Sequence, residues 1–388
     1  MAVRPSGKTV EMVERLISFD TTSRNSNLAI IHDIRSYLEG FGIESQLVFD
    51  ETGEKANLYA TVGPSDTPGI ALSGHTDVVP VDGQDWHTDP FSVVEKDDLL
   101  YGRGTSDMKS FLAVALAKVP EMVASPLKTP IHLAFSYDEE VGCIGVRRLL
   151  DILKDMPVRP RACIVGEPTN MRVVLAHKGK LSERVTVRGL EAHSSLAHQA
   201  VNAVEAAAEL VAELKRMARL KRDHGPYDEE FEPPYTTIHT GVIHGGTQLN
   251  IVPLECSFDW EARYLPEDDP EEIRAAIREF AEKKILPEMH AVSPDTGIEW
   301  EELSSIAGLD TREDEDVVAL AKALTGANAT YKVSFGTEAG LFQEIGIPTI
   351  VCGPGSIEQA HKPNEFIALD QLSQCESFMD RLIQRVRA

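Results

Sequence analysis

Three short apolar runs in this chain each end in a histidine or an acid, and helical patterns separate them. Ile70-Ala71-Leu72 leads into Gly74-His75-Thr76-Asp77. Ile131, Leu133 and Phe135 lead into Asp138-Glu139-Glu140, and Ala162–Val165 leads through Gly166 into Glu167. Strands that alternate with helices in this way predict an α/β domain with a mixed, mostly parallel sheet and helices on both faces. Open sheets of that kind bind ligands beyond the carboxyl ends of their strands, which is where these residues stand. Three adjacent carboxylates repel one another unless a cation or a shared proton holds them. The plainer reading of 138–140 is an acidic, solvated turn.

A chain of 388 residues is too long for one core, so two domains are expected. Val10, Val13, Leu16 and Ile17 sit at helical spacing, as do Ile30, Ile31, Ile34, Tyr37 and Leu38, which end at Gly40. Strands are expected at Glu44–Phe49 and Asn57–Val62. A helix is expected at Lys109–Val119, with Asp107 at its start. The pattern changes after Lys180. A strand at Leu181–Val187 is followed by a helix at Val201–Leu220 and by strands at Thr236–Ile243 and Asn250–Tyr264. A helix opened by Asp269-Pro270 and a strand at Ile298–Leu303 complete the run. That order is the split βαβ unit, so residues 181–305 are read as an inserted ferredoxin-like βαββαβ domain. It divides the α/β domain into residues 1–180 and 306–388. The second part holds a helix at Val317–Leu324, a strand at Ile347–Cys352 and a final helix through Leu372, Cys375, Met379, Leu382 and Val386.

The net charge of −24 argues against nucleic acid or an anionic membrane as a partner, because both attract a basic surface. The first residues lack the apolar core of a signal peptide, and the apolar run Phe111–Val119 is too short to span a bilayer. Five scattered cysteines without a CxxC pair read as buried free thiols, so a cytoplasmic protein is expected.

His75, Asp107, Glu139, Glu140, Glu167 and His361 all fall at strand ends or in loops of the α/β domain. Imidazole and carboxylate donors without thiolate suit two divalent ions at a hydrolytic site, Zn2+ first, with Co2+ or Mn2+ as alternatives. Two ions sharing a carboxylate use about five such donors, which leaves one acid as a general base. Taken singly, each residue has an ordinary explanation: a core histidine, a helix cap, an acid before a turn. Six such coincidences at strand ends are harder to accept.

The stretches Gly74-His75-Thr76-Asp77-Val78-Val79-Pro80, Gly102-Arg103-Gly104-Thr105-Ser106-Asp107-Met108-Lys109, Asp138-Glu139-Glu140 and Gly166-Glu167-Pro168-Thr169 carry a resemblance. They resemble the co-catalytic zinc hydrolases that include acetylornithine deacetylase, succinyl-diaminopimelate desuccinylase, aminoacylase and carboxypeptidases. The resemblance implies that Asp107 bridges two ions, that His75 and Glu167 bind one, and that Glu140 and His361 bind the other. It implies Asp77 as the residue that orients His75, and Glu139 as the general base. The inserted domain resembles the family's lid, which implies a homodimer. Ala192-His193-Ser194-Ser195 resembles a motif whose histidine steadies the oxyanion, and Asn250 and Arg263 resemble residues that hold a substrate carboxylate.

Ala176-His177-Lys178-Gly179, Phe335-Gly336-Thr337-Glu338-Ala339 and the run from Gly353 to His361 look most like the acetylornithine deacetylase branch. That likeness implies an N-acyl amino acid substrate, N2-acetyl-ornithine, with Glu338 facing its distal ammonium; an acid at a helix start is the ordinary reading of Glu338. The rival readings are a desuccinylase, aminoacylase or dipeptidase with the same chemistry, and a metal-binding protein without catalysis.

Overall fold

In this computed structural model, which describes residues 4–387, the strand Ile70–His75 lies inside a nine-stranded mixed sheet. The order across the sheet is Ser45–Phe49, Ala56–Val62, Ile131–Ser136, Ile70–His75, Ala162–Pro168, Thr349–Gly353, Val174–His177 and Leu309–Asp310. Tyr331–Val333 pairs beside Val174–His177. The four strands 131–136, 70–75, 162–168 and 349–353 run parallel, and their neighbours on the Ser45–Phe49 side are antiparallel. All four parallel strands are buried at every position, which explains why they read as continuous apolar runs. Helices Leu28–Glu39, Lys109–Ala117, Ile144–Asp155 and Asp316–Thr325 pack on this sheet. The α/β class expected from the sequence is the class observed.

The helix Ile144–Asp155 has no counterpart in the sequence reading, although Val146, Leu149, Leu150 and Leu153 form its buried face. A small sheet of Phe366–Ala368, Leu99–Tyr101 and Val94–Lys96 also escaped it, being three strands of three residues each. It pairs Phe366 with Tyr101, so the loops after Tyr101 and before Phe366 leave from one place.

By contacts, the chain divides into one unit of residues 1–176, 309–332 and 337–388, and a second of residues 177–308 and 333–336. The second unit holds a four-stranded antiparallel sheet in the order Thr237–Gly245, Glu255–Tyr264, Gly179–Arg188, Gly297–Ile306. With helices Ala203–His224 and Pro270–Phe280 between strands, this is the ferredoxin-like βαββαβ arrangement. Val185, Val187, Leu210, Leu214, Phe258, Trp260, Ile273 and Ile277 belong to its own core. The long helix starts at Asn202, whose side chain accepts from the amides of Val204 and Glu205. The expected strand from 250 to 264 is interrupted. Pro253 cannot donate to a ladder, and Ile251–Val252 leaves the sheet to pair with Ala192–His193.

Candidate metal centre

The parallel register sets His75 opposite Ser136, so residues 75–77 and 137–140 leave the sheet side by side. The Thr76 amide and hydroxyl both donate to the Ser136 carbonyl, at 2.9 and 2.7 Å, and stitch the two strand ends together. Glu167 arrives on the next parallel strand, Ala162–Pro168. Asp107 sits two residues before the helix Lys109–Ala117, and His361 lies in the loop between Thr349–Gly353 and Phe366–Ala368.

These groups converge on Asp107. Its Oδ1 is 3.2 Å from His75 Nε2, and its Oδ2 is 3.3 Å from His361 Nε2. His75 Nε2 also lies 3.6 Å from Glu167 Oε1, and His361 Nε2 lies 3.0 Å from Glu140 Oε2. Donor atoms of His75, Glu139 and Glu167 fall within 4.8 Å of one another, as do those of His75, Asp107 and Glu140. On the far side of the ring, His75 Nδ1 is 2.9 Å from the Asp77 carbonyl oxygen. A carbonyl only accepts, so Nδ1 carries the proton and Nε2 is the nitrogen turned to the cluster. The Asp77 carboxylate stands farther off, 3.5 Å from the same nitrogen. It accepts instead from the Ser23 hydroxyl at 2.7 Å and from the amides of Glu139 and Glu140 at 3.1 and 3.3 Å. Asp77 therefore holds both the imidazole and the turn that carries the two glutamates.

Of the three adjacent acids, Asp138 turns away and pairs with Lys55 Nζ at 2.6 and 2.7 Å. Glu139 and Glu140 face the cluster instead, Glu140 against the His361 imidazole. Burial above all, together with the charges of nearby acids, pushes Glu139 up to about 8 and Glu140 up to about 7. Glu167, also buried, is held well above the usual carboxylate range. Burial works against a charged His75, yet Asp107 and Asp77 outweigh it and raise its pKa well above the ordinary value. Burial works against the Asp107 charge too, but hydrogen bonds from His361 and His75 keep its pKa low. Hydrogen bonds to Asp107 and Glu140 lift His361 to about 10.

Burial thus favours the protonated form of three acids, and the neighbouring carboxylates favour that of two imidazoles. Glu167 Oε1 is buried without a hydrogen-bond partner, an acceptor with nothing to accept from. Crowded carboxylates, two imidazoles and an orphaned acceptor fit divalent cations, which would displace those protons.

Residues 71–385 match the family described as Peptidase family M20/M25/M40. The chain belongs to that family. Among curated relatives, an acetylornithine deacetylase of Myxococcus xanthus is 36% identical, with 95% of this chain and 94% of the relative covered. Another acetylornithine deacetylase, of Proteus mirabilis, is also 36% identical, over 94% of this chain and 92% of the relative. Among solved structures, an M20 family metallo-carboxypeptidase of Sulfolobus solfataricus shares the fold at a TM-score of 0.77 and 18% identity. It covers 98% of this chain and 99% of its own. This M20 chain is a metal-dependent amide hydrolase, and the donors at its centre are of the kind that chemistry requires.

The remaining site residues of this M20 protein lie elsewhere. Glu338 departs from the expected substrate contact. It is fully buried, and its two carboxylate oxygens accept from the hydroxyls of Ser73 and Ser136 at 2.6 and 2.7 Å. Those serines sit on the strands that lead to His75 and Glu139, so Glu338 braces the strand ends from inside and offers no surface to an ammonium. His193, Asn250 and Arg263 belong to the inserted unit. His193 is exposed with Nδ1 2.9 Å from the Ser195 hydroxyl, and the Ser194 amide donates to the carbonyl of Asn250 at 2.9 Å. Arg263 is partly exposed and donates to Glu261 at 3.2 Å.

Three residues near the centre escaped the sequence reading. The Cys143 thiol reaches Glu139 at 3.3 Å, on a turn where Cys143 has a φ of 53°. Arg103 and Glu365 form a buried ion pair at 2.8 Å beside Asp107. A charged residue held between two glycines, as in Gly102-Arg103-Gly104, is the one hint of that pair in the sequence.

Proposed function

We propose that this protein hydrolyses the acetyl–nitrogen bond of N2-acetyl-ornithine to give acetate and ornithine. The observation that carries the chemistry is Glu139, a half-buried acid with its pKa pushed up to about 8, next to an Asp107 that faces two imidazoles. The substrate is supported by the likeness to curated acetylornithine deacetylases along nearly the whole chain.

Two divalent ions, Zn2+ first and Co2+ or Mn2+ as alternatives, would be held by His75 with Glu167 and by Glu140 with His361, Asp107 lying between. Bound, they supply Lewis-acid polarisation of the acyl carbonyl and a more acidic water. Glu139 takes a proton from the water as its oxygen bonds to the acyl carbon. It returns that proton to the nitrogen as the C–N bond breaks, so the amine leaves neutral. Asp77 keeps the His75 proton on Nδ1. His193 donates to the oxyanion, and Asn250 with Arg263 holds the α-carboxylate.

The inserted domain, residues 181–305 as the sequence delimits it, serves as lid and dimer contact. Support for a homodimer comes from the edge strand Thr237–Gly245, where Val242 and Ile243 are exposed, and from a fully exposed Leu249 nearby. Five buried free cysteines favour a reducing, cytoplasmic setting. No helix among the described residues is long and apolar enough to cross a membrane.

The test is a substrate panel on chelator-treated protein reloaded with Zn2+ or Co2+, run beside the Glu139→Gln variant. The panel holds N-acetyl-ornithine, N-succinyl-diaminopimelate, N-acetyl-methionine and a dipeptide. Metal-dependent turnover should be greatest on N-acetyl-ornithine. The variant should lose about 10²–10⁴-fold in kcat while keeping its ions. Preference for another acyl donor would replace the substrate and leave the mechanism. A fully active E139Q would remove Glu139 from its role.

A further inference from the structure

Asp107 must present one oxygen to each histidine, yet it stands on a loop rather than on the sheet. Its position is set by another carboxylate, that of Glu365, which is buried. Glu365 Oε1 accepts from the amides of Ser106 and Asp107 at 2.7 and 3.0 Å. Its Oε2 accepts from the Gly104 amide at 3.0 Å and from Arg103 Nη1 at 2.8 Å. The Glu365 carbonyl accepts from the Gly102 amide at 2.9 Å, continuing the pairing of Phe366 with Tyr101. Four of the six amides from Gly102 to Asp107 thus end on one residue, those of Arg103 and Thr105 going to the carbonyls of Pro90 and Gly102.

Glu365 lies four residues beyond His361, so the loop that carries one proposed ligand grips the loop that carries the other. A second link closes the ring. Arg103 Nη2 donates to Gln84 Oε1 at 2.6 Å, and Gln84 Nε2 donates to the backbone carbonyl of His361 at 2.9 Å. Arg103 Nη1 also reaches the Lys362 carbonyl at 3.3 Å, and the guanidinium lies over the Trp86 ring at 5.1 Å. A charge this deeply buried persists only where its partners are fixed, and here the partners are the backbone on either side of Asp107 and His361.

We propose that Glu365, with Arg103 and Gln84, is a positioning clamp that sets the separation of Asp107 from His361 and thereby the affinity of the second ion position. The clamp rests on the deacylase reading only in taking Asp107 and His361 as ligands. Glu365 touches no reacting atom; it acts through Asp107.

The test is a Co2+ titration of chelator-treated wild type, Glu365→Gln and Gln84→Ala, read by calorimetry and visible absorption rather than by turnover. Wild type should take up two equivalents. In E365Q an amide group faces N–H donors, so the second equivalent should bind about 10–100-fold more weakly, with a shifted absorption band and a smaller loss at the first. Q84A, which alters a half-exposed side chain, should move the same way by less. Wild type without two equivalents would sink the two-ion reading itself. Two equivalents in wild type, with unchanged affinities and band in E365Q, would sink the clamp alone, as would equal weakening of both equivalents in a folded E365Q. Should circular dichroism show E365Q unfolded, Q84A decides: a weakened second equivalent supports the clamp and an unchanged one overturns it.

Discussion

His132 lies on the strand that ends in the acidic turn, stacked on Tyr59 with ring centroids 5.5 Å apart. Its Nδ1 meets the Thr61 hydroxyl at 2.9 Å, while Nε2 is buried without a partner. Burial drives its pKa from the ordinary 6.5 down to about 4. Between those two values the unfolded chain binds a proton that the folded chain refuses, so stability falls as pH drops from 6.5 toward 4. The loss approaches about 1.4 kcal/mol per pH unit within that window and is absent above it. His177, which burial also pushes down to about 4, adds a like contribution. Urea midpoints of wild type and His132→Gln across this range should diverge, the variant showing the shallower decline. Parallel curves would mean that the ring is protonated when folded. That His75 and His361 would face shared acids was legible from sequence, because each follows a strand or a glycine loop and has a matching acid elsewhere. Glu365 was not legible, because its partners are mostly backbone amides, which every residue carries. Glu338 was misread for a related reason: its partners are two serine hydroxyls on strands far away in sequence.

At the scale of elements, the strand bearing Glu167 is held by contacts that admit no side chain. A Cβ on Gly353 would come within 1.9 Å of the Gly166 carbonyl oxygen, and one on Gly166 within 2.0 Å of Phe111 Cγ. The two parallel strands therefore meet here at backbone distance, and the Phe111 ring of the helix Lys109–Ala117 lies directly on Gly166. Gly353→Ala should cost about 1–3 kcal/mol in urea unfolding, because the two strands must move apart to admit the methyl group. It should weaken metal binding as well, since the displaced strand carries Glu167. Gly297→Ala, at a site with nothing within 4 Å, should change neither and serves as the control. A Gly353→Ala protein as stable as wild type, with both ions bound, would show that the strands can separate freely. Periodicity was enough to place most strands and helices within a few residues. It failed for the short strands of 94–101 and 366–368, where three residues carry no pattern. It failed again at 250–264, where a proline breaks one apolar run into two strands of different sheets.

At the scale of the whole chain, the two hydrophobic clusters have no residue in common: one is built around Leu72, Phe111, Leu133 and Ile164, the other around Phe258, Trp260 and Leu210. The inserted unit was legible because the α/β rhythm stops at 180 and an antiparallel one begins. The four residues 333–336, which join it from the far end of the chain, carry no such signal. Every proposed metal ligand belongs to the first unit. An ion that binds only the folded form stabilises it by about 4 kcal/mol at a thousand times its Kd, and that stabilisation reaches only what unfolds with the site. Separate cores therefore predict a divided response to chelation in hydrogen exchange. Amides of Ile70–His75, Ala162–Pro168 and the loop from Gly102 to Asp107 should exchange faster once the ions are removed. Amides of Gly179–Arg188 and Glu255–Tyr264, in the other core, should keep their rates. Uniform acceleration across both sets would mean that the two units unfold as one cooperative block, and that bound ions stabilise the inserted unit as strongly as the sheet of the first.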